Sequence, residues 1–156
     1  MKKVLLILAC GIATQLSYAQ ATPKWADKAK KAVFSIVTYD KDNKIKNTGN
    51  GFYINENGTA LSDYTLFEGA ERAVIINADS KELPVLRILG ANSMYDIVKF
   101  NTEADKKTIA LKSASQPASV GETVYLLPYS TQKAATCQTG TVTKVDTIGD
   151  KAYYYT

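Results

Sequence analysis

The 156-residue sequence contains no histidine. No imidazole is therefore at hand as a general base, a metal ligand or a group that changes charge near neutral pH. A Ser-His-Asp triad or a Cys-His dyad cannot be built from these residues alone. Two cysteines, Cys10 and Cys137, are too few for a cysteine-rich zinc site or a disulfide framework. No apolar run reaches the roughly 18–20 residues that a membrane-spanning helix needs. No block of five like charges occurs, and the excess of 19 basic over 15 acidic side chains is small. That is no footprint of a nucleic-acid binder. What is present is an ordinary globular composition, with 46% apolar and 22% charged residues.

The first residues read as a leader. Met1-Lys2-Lys3 is a short basic start, residues 4–16 are mostly apolar, and Ser17-Tyr18-Ala19 puts small residues at −3 and −1 of a cut before Gln20. This is the layout of a secretory signal peptide. Residues 1–19 are expected to be removed on export, leaving a periplasmic or extracellular protein with no stable membrane span. A lipid-anchored alternative would use Cys10, and it leaves only residues 4–9 as the apolar stretch. Without residues 1–19, 137 residues remain, with 17 basic and 15 acidic side chains and a net charge of +2. Lys28, Lys30 and Lys31 then form the densest basic cluster, read as the wet face of a short helix. Cys137 becomes the sole thiol, read as a small core residue rather than a nucleophile.

Residues 20–31 are expected to carry a short N-terminal helix. Pro23 suits a first turn, and Trp25, Ala26, Ala29 and Ala32 recur at steps of three and four. From residue 33 the chain turns β-branched and aromatic. Strands are expected at 33–39, 51–55, 59–62, 72–78, 83–89 and 96–100, with Asn57-Gly58 as a hairpin turn. Gly49-Asn50-Gly51 reads as a tight turn or bulge, since no helix follows it to make a phosphate cradle. Six short strands with turn signals every 8–15 residues suggest a small antiparallel barrel or sandwich at 32–104. Residues 105–119 read as a linker with one short strand at 109–111. Strands resume at 123–127, 140–145 and 152–155. The run Tyr153-Tyr154-Tyr155-Thr156 would leave an apolar sheet edge open, so the sequence is expected to be a piece of a longer chain.

The order of these motifs resembles the trypsin-like serine peptidases of the HtrA type. The stretch 49–64, Gly-Asn-Gly-Phe-Tyr-Ile-Asn-Glu-Asn-Gly-Thr-Ala-Leu-Ser-Asp-Tyr, is similar to the Gly-x-Gly-Phe strand and hairpin that lead to the triad histidine of that family. Leu66-Phe67-Glu68-Gly69-Ala70 resembles the helical turn after it, and Val74-Ile75-Ile76 the next strand. Asp96-Ile97-Val98 resembles the segment that carries the triad aspartate. Val120-Gly121-Glu122-Thr123-Val124, Pro128-Tyr129 and Gly140-Thr141-Val142 resemble the start of the second barrel, and Tyr153-Tyr154-Tyr155-Thr156 the strand before the nucleophile loop. The resemblance covers residues 32–156. It implies an all-β, trypsin-like antiparallel fold: a complete first barrel at 32–104, a linker at 105–119 and a partial second barrel at 120–156, behind a short N-terminal helix.

The resemblance puts Thr65 at the histidine position and Asp96 at the aspartate position, with the nucleophile beyond residue 156. A threonine hydroxyl has no protonation equilibrium near neutral pH and cannot serve as the base. Thr65 and Asp96 are thus expected to be degenerate triad positions that face each other without catalytic function. Asp63 reads as a helix cap, and a catalytic pair of Asp63 with Asp96 is set aside. No cofactor or metal is expected. The reading that follows is a pseudo-peptidase module that binds a peptide or protein. The alternatives are the N-terminal part of an active serine endopeptidase, or a purely structural barrel presenting another domain.

Overall fold

The computed structural model describes residues 23–104, 108–127, 129, 137–148 and 151–155. The expected leader lies outside the described residues. The N-terminal helix α1 is a single turn, Ala26–Lys30, shorter than the expected 20–31. No side chain caps it; residues 23–25 form the preceding turn, with the Ala26 amide donating to the Pro23 carbonyl at 2.9 Å. The small residues Ala26 and Ala29 are buried, so the turn lies close against the protein. Trp25 meets Tyr125 edge-on, with ring centroids 5.0 Å apart.

Six antiparallel strands follow: β1 (Val33–Tyr39), β2 (Ile45–Tyr53), β3 (Thr59–Ser62), β4 (Arg72–Ile76), β5 (Glu82–Asn92) and β6 (Ile97–Thr102). They close into a barrel in the order β1-β2-β3-β6-β5-β4. Phe34 and Ile36 of β1 join Tyr53, Ala60, Ile75, Leu83, Val98 and Phe100 in one buried cluster. The rings of Phe34 and Tyr53 pack at 4.8 Å in the tilted-edge geometry that aromatic pairs favour. Val33, on the other face of β1, packs with Tyr129, Phe52 and Leu127. That second covered face explains why β1 is an almost unbroken apolar run rather than an alternating one. Burial also pushes the Tyr53 phenol up to about 12, because the phenolate would lose its hydration.

The sequence and the structure differ at several points, each for a local reason. Strand β2 begins at Ile45, six residues before the expected Gly51. The Asp40 carboxylate accepts the Asp42 and Lys44 amides at 2.8 and 2.9 Å, which closes the turn by residue 44. The polar run that follows can then pair with β1. Gly49-Asn50-Gly51 is neither turn nor bulge, because Gly49 pairs with Ile36 and Gly51 with Phe34 in a regular ladder. A Cβ at Gly51 would lie 2.5 Å from the Phe34 ring and 2.9 Å from the Leu61 carbonyl oxygen, so glycine is needed here for close approach. The expected strand at 109–111 is absent. One hydrogen bond, from the Leu111 amide to the Tyr53 carbonyl at 2.9 Å, ties that stretch to the barrel.

Past the barrel, β7 (Thr123–Leu126) pairs with β8 (Gln138–Thr141), and β9 (Lys144–Ile148) pairs with β10 (Lys151–Tyr155). The strand expected at 140–145 is interrupted at Val142. That residue is buried and bonded in both directions to the start of β7, its amide to Glu122 and its carbonyl to Gly121. The Tyr129 hydroxyl donates to the Asn77 carbonyl at 2.9 Å, which fastens the later segment to the β4–β5 turn. Cys137 is a free, half-buried thiol just before β8 rather than a core residue.

Gly51→Ala is expected to destabilise the barrel by about 1–3 kcal/mol through overpacking against Phe34. A shift of the chemical-denaturation midpoint measures it.

Candidate functional site

The β3–β6 pairing brings the two positions singled out by sequence together. Ser62, the last residue of β3, pairs with Val98. Thr65 lies three residues past Ser62, and Asp96 two residues before Val98. After β3 the chain enters a 3-10 turn, Tyr64–Leu66, whose closing bond runs from the Phe67 amide to the Tyr64 carbonyl at 2.8 Å. The left-handed Gly69 (φ 63°) then turns the chain toward β4. On the opposite side, Asp96 ends the β5–β6 connection with φ 50°, a region that non-glycine residues enter at a cost.

Thr65 and Asp96 are hydrogen-bonded. One carboxylate oxygen of Asp96 accepts both the Thr65 amide and the Thr65 hydroxyl, each at 2.7 Å. The Asp96 carbonyl accepts the Tyr64 amide at 3.2 Å. The Thr65 hydroxyl, followed by the Thr65 amide, holds the Asp96 carboxyl below the usual carboxylate range, since these donors favour the ionised form. Both residues are exposed.

The turn is gripped from a second side by Asn47 of β2. Its carboxamide donates to the Leu66 carbonyl at 3.2 Å and to the Thr65 carbonyl at 3.5 Å. The sequence reading does not single out Asn47, because the expected strand starts only at Gly51. A Cβ on Gly49 would collide with the Leu66 side chain, so a glycine in mid-strand makes room for the turn. Asp63 occupies the N-cap position but makes no side-chain cap bond. The cap expected of it is supplied instead by Asp96, from 31 residues away.

Chemically, the arrangement holds a carboxylate and a neutral hydroxyl. The hydroxyl spends its proton on Asp96, and a carboxylate stabilised in this way is a weaker base than an ordinary one. Among the described residues no group of three or more potential metal ligands is clustered. Beside the pair, a groove of about 660 Å³ runs between the barrel and β7. Its walls include Val33, Phe52, Leu61, Ile97, Tyr125 and Leu126, and among the described residues lining it Asp63 is the sole charged one.

No family model matches the chain, and no curated protein matches it by sequence. Solved structures do. The chain is similar to the serine endoprotease of Yersinia pestis, with a TM-score of 0.66 and 16% identity over 76% of this chain. It is also similar to the HtrA-type protease AlgW, solved with a tripeptide, with a TM-score of 0.68 and 15% identity over 81% of this chain. The chain spans 43% and 42% of the length of those two proteins. Together with the closed six-strand barrel, these likenesses define the class: a trypsin-like fold, the fold of HtrA-type serine proteases. Among the described residues, no helix is long and apolar enough to cross a membrane.

The lowered Asp96 pKa fixes a sign. Its bonds to Thr65 favour the folded state above the ordinary carboxylate pKa, and that contribution is lost as pH falls through the depressed folded value. NMR titration of the Asp96 carboxyl carbon is expected to give a midpoint below that of a model aspartate. Thr65→Val is expected to move the midpoint up toward it.

Proposed function

We propose that this chain is an exported, non-catalytic domain of trypsin-like fold that binds an extended peptide or protein segment. The observation that carries the reading is the Thr65–Asp96 hydrogen bond at 2.7 Å. The resemblance puts these two residues at the histidine and aspartate positions, in a sequence without histidine. A hydroxyl there cannot take the proton of a serine nucleophile, and loss of one triad member removes most of the catalytic gain. The apolar groove next to the pair supports a binding role, since ligand clefts are mostly apolar with a few polar groups at the rim. Export rests on the leader pattern of residues 1–19. In this reading residues 32–104 are the first barrel, 105–119 the linker, and 120–156 part of the second barrel. No nucleic acid or cofactor takes part.

A second reading is an active serine endopeptidase whose nucleophile lies beyond residue 156. It is favoured by the Asp96 carboxylate, whose bonds to Thr65 hold it ionised, the charge state a triad aspartate requires. Incubating the purified exported protein with a fluorophosphonate probe and with a fluorogenic casein separates the two. No labelling and no hydrolysis are expected. Strong labelling would establish the peptidase reading and remove the first.

A further inference from the structure

The turn at Tyr64–Leu66 is three residues long; Tyr64 and the following Phe67 pack against the barrel core, but Asp63 makes no cap bond. Its hydrogen bonds to other elements come from Asp96 and Asn47. Asp96 takes the Thr65 hydroxyl and amide on one carboxylate oxygen and the Tyr64 amide on its carbonyl. Asn47 holds the Leu66 carbonyl on the far side. In return, those bonds hold Asp96 at φ 50°, a conformation that persists only where the surroundings over-determine it.

We propose that Thr65 is a positioning residue whose hydroxyl, with Asp96, forms a clasp joining the turn after β3 to the tip of the β5–β6 connection. The two segments are 31 residues apart in sequence, and through the clasp they open and close as one unit. They border the apolar groove at Asp63 and Ile97, so the clasp fixes that edge of the groove. The hydroxyl is the specific requirement. Serine keeps the donor, whereas valine keeps the shape and loses it. The charge on Asp96 matters second, because a bond to an ionised acceptor is roughly twice as strong as one to a neutral acceptor. This role does not depend on what the groove binds.

Amide hydrogen exchange on the exported protein, residue by residue, tests the clasp. Thr65→Val is expected to speed exchange about tenfold at the amides of Tyr64 and Thr65 and, in step, at those of residues 93–96, consistent with loss of one charge-assisted bond. The core amides of Phe34 and Phe100 should keep their protection. Thr65→Ser should restore wild-type exchange in both segments. Unchanged exchange in Thr65→Val, or acceleration in the turn alone, would overturn the proposal. Should Thr65→Val expose the core as well, Asp96→Asn decides. It is expected to speed both segments by a smaller, matched factor, and unmatched factors would count against the clasp.

Discussion

The β3–β6 ladder is the pairing on which the rest of this molecule depends. Strands β1, β2 and β3 form one meander and β4, β5 and β6 another, each made of sequence neighbours. Only two seams turn those halves into a barrel, β1 with β4 and β3 with β6. The β3–β6 seam runs from Thr59 opposite Asn101 to Ser62 opposite Val98, and it shuts Ala60, Val98 and Phe100 into the core. Closure removes the strand edges that an open six-stranded sheet would present. It also fixes where the chain leaves β3 and where it enters β6, and so it sets Thr65 beside Asp96.

At that meeting point the fold offers a carboxylate whose partner decides the chemistry. An imidazole would bond the carboxylate through one nitrogen and keep the other free to move a proton. The Thr65 hydroxyl has a single proton, which it gives to Asp96 as a hydrogen bond. In this chain the bonds converge on holding a turn, with Asn47 completing the grip.

Much of the barrel was legible in the sequence, because strands β1, β3, β4 and β6 are short β-branched or aromatic runs bounded by turn residues. The expected 33–39 and 59–62 coincide with β1 and β3. Polar strand segments were not legible. Lys46, Asn47, Thr48 and Asn50 look like loop residues, yet ladder pairing with the apolar β1 makes them strand. The error had a cost for the site, since it hid Asn47. The break at Val142 was equally hidden. An apolar residue between threonines reads as mid-strand, and only its bonds to Gly121 and Glu122 reveal a crossing point. Thr65 and Asp96 could be paired in advance through the resemblance to a known family. The positive φ of Asp96 and its service as a remote cap in place of Asp63 follow from tertiary context alone.

The edge-on contact of Trp25 with Tyr125 makes the fluorescence of this protein a selective signal. Trp25 is the sole tryptophan in the sequence, and it is 50% exposed at the start of α1, outside the barrel core. Its emission therefore follows the docking of the N-terminal turn against β7, while the phenylalanines of the barrel interior stay nearly dark. An unfolding curve read from tryptophan emission reports that one seam. Far-ultraviolet circular dichroism reports the strands. The spacing between the two curves measures how tightly the first turn and the later hairpins are coupled to the barrel.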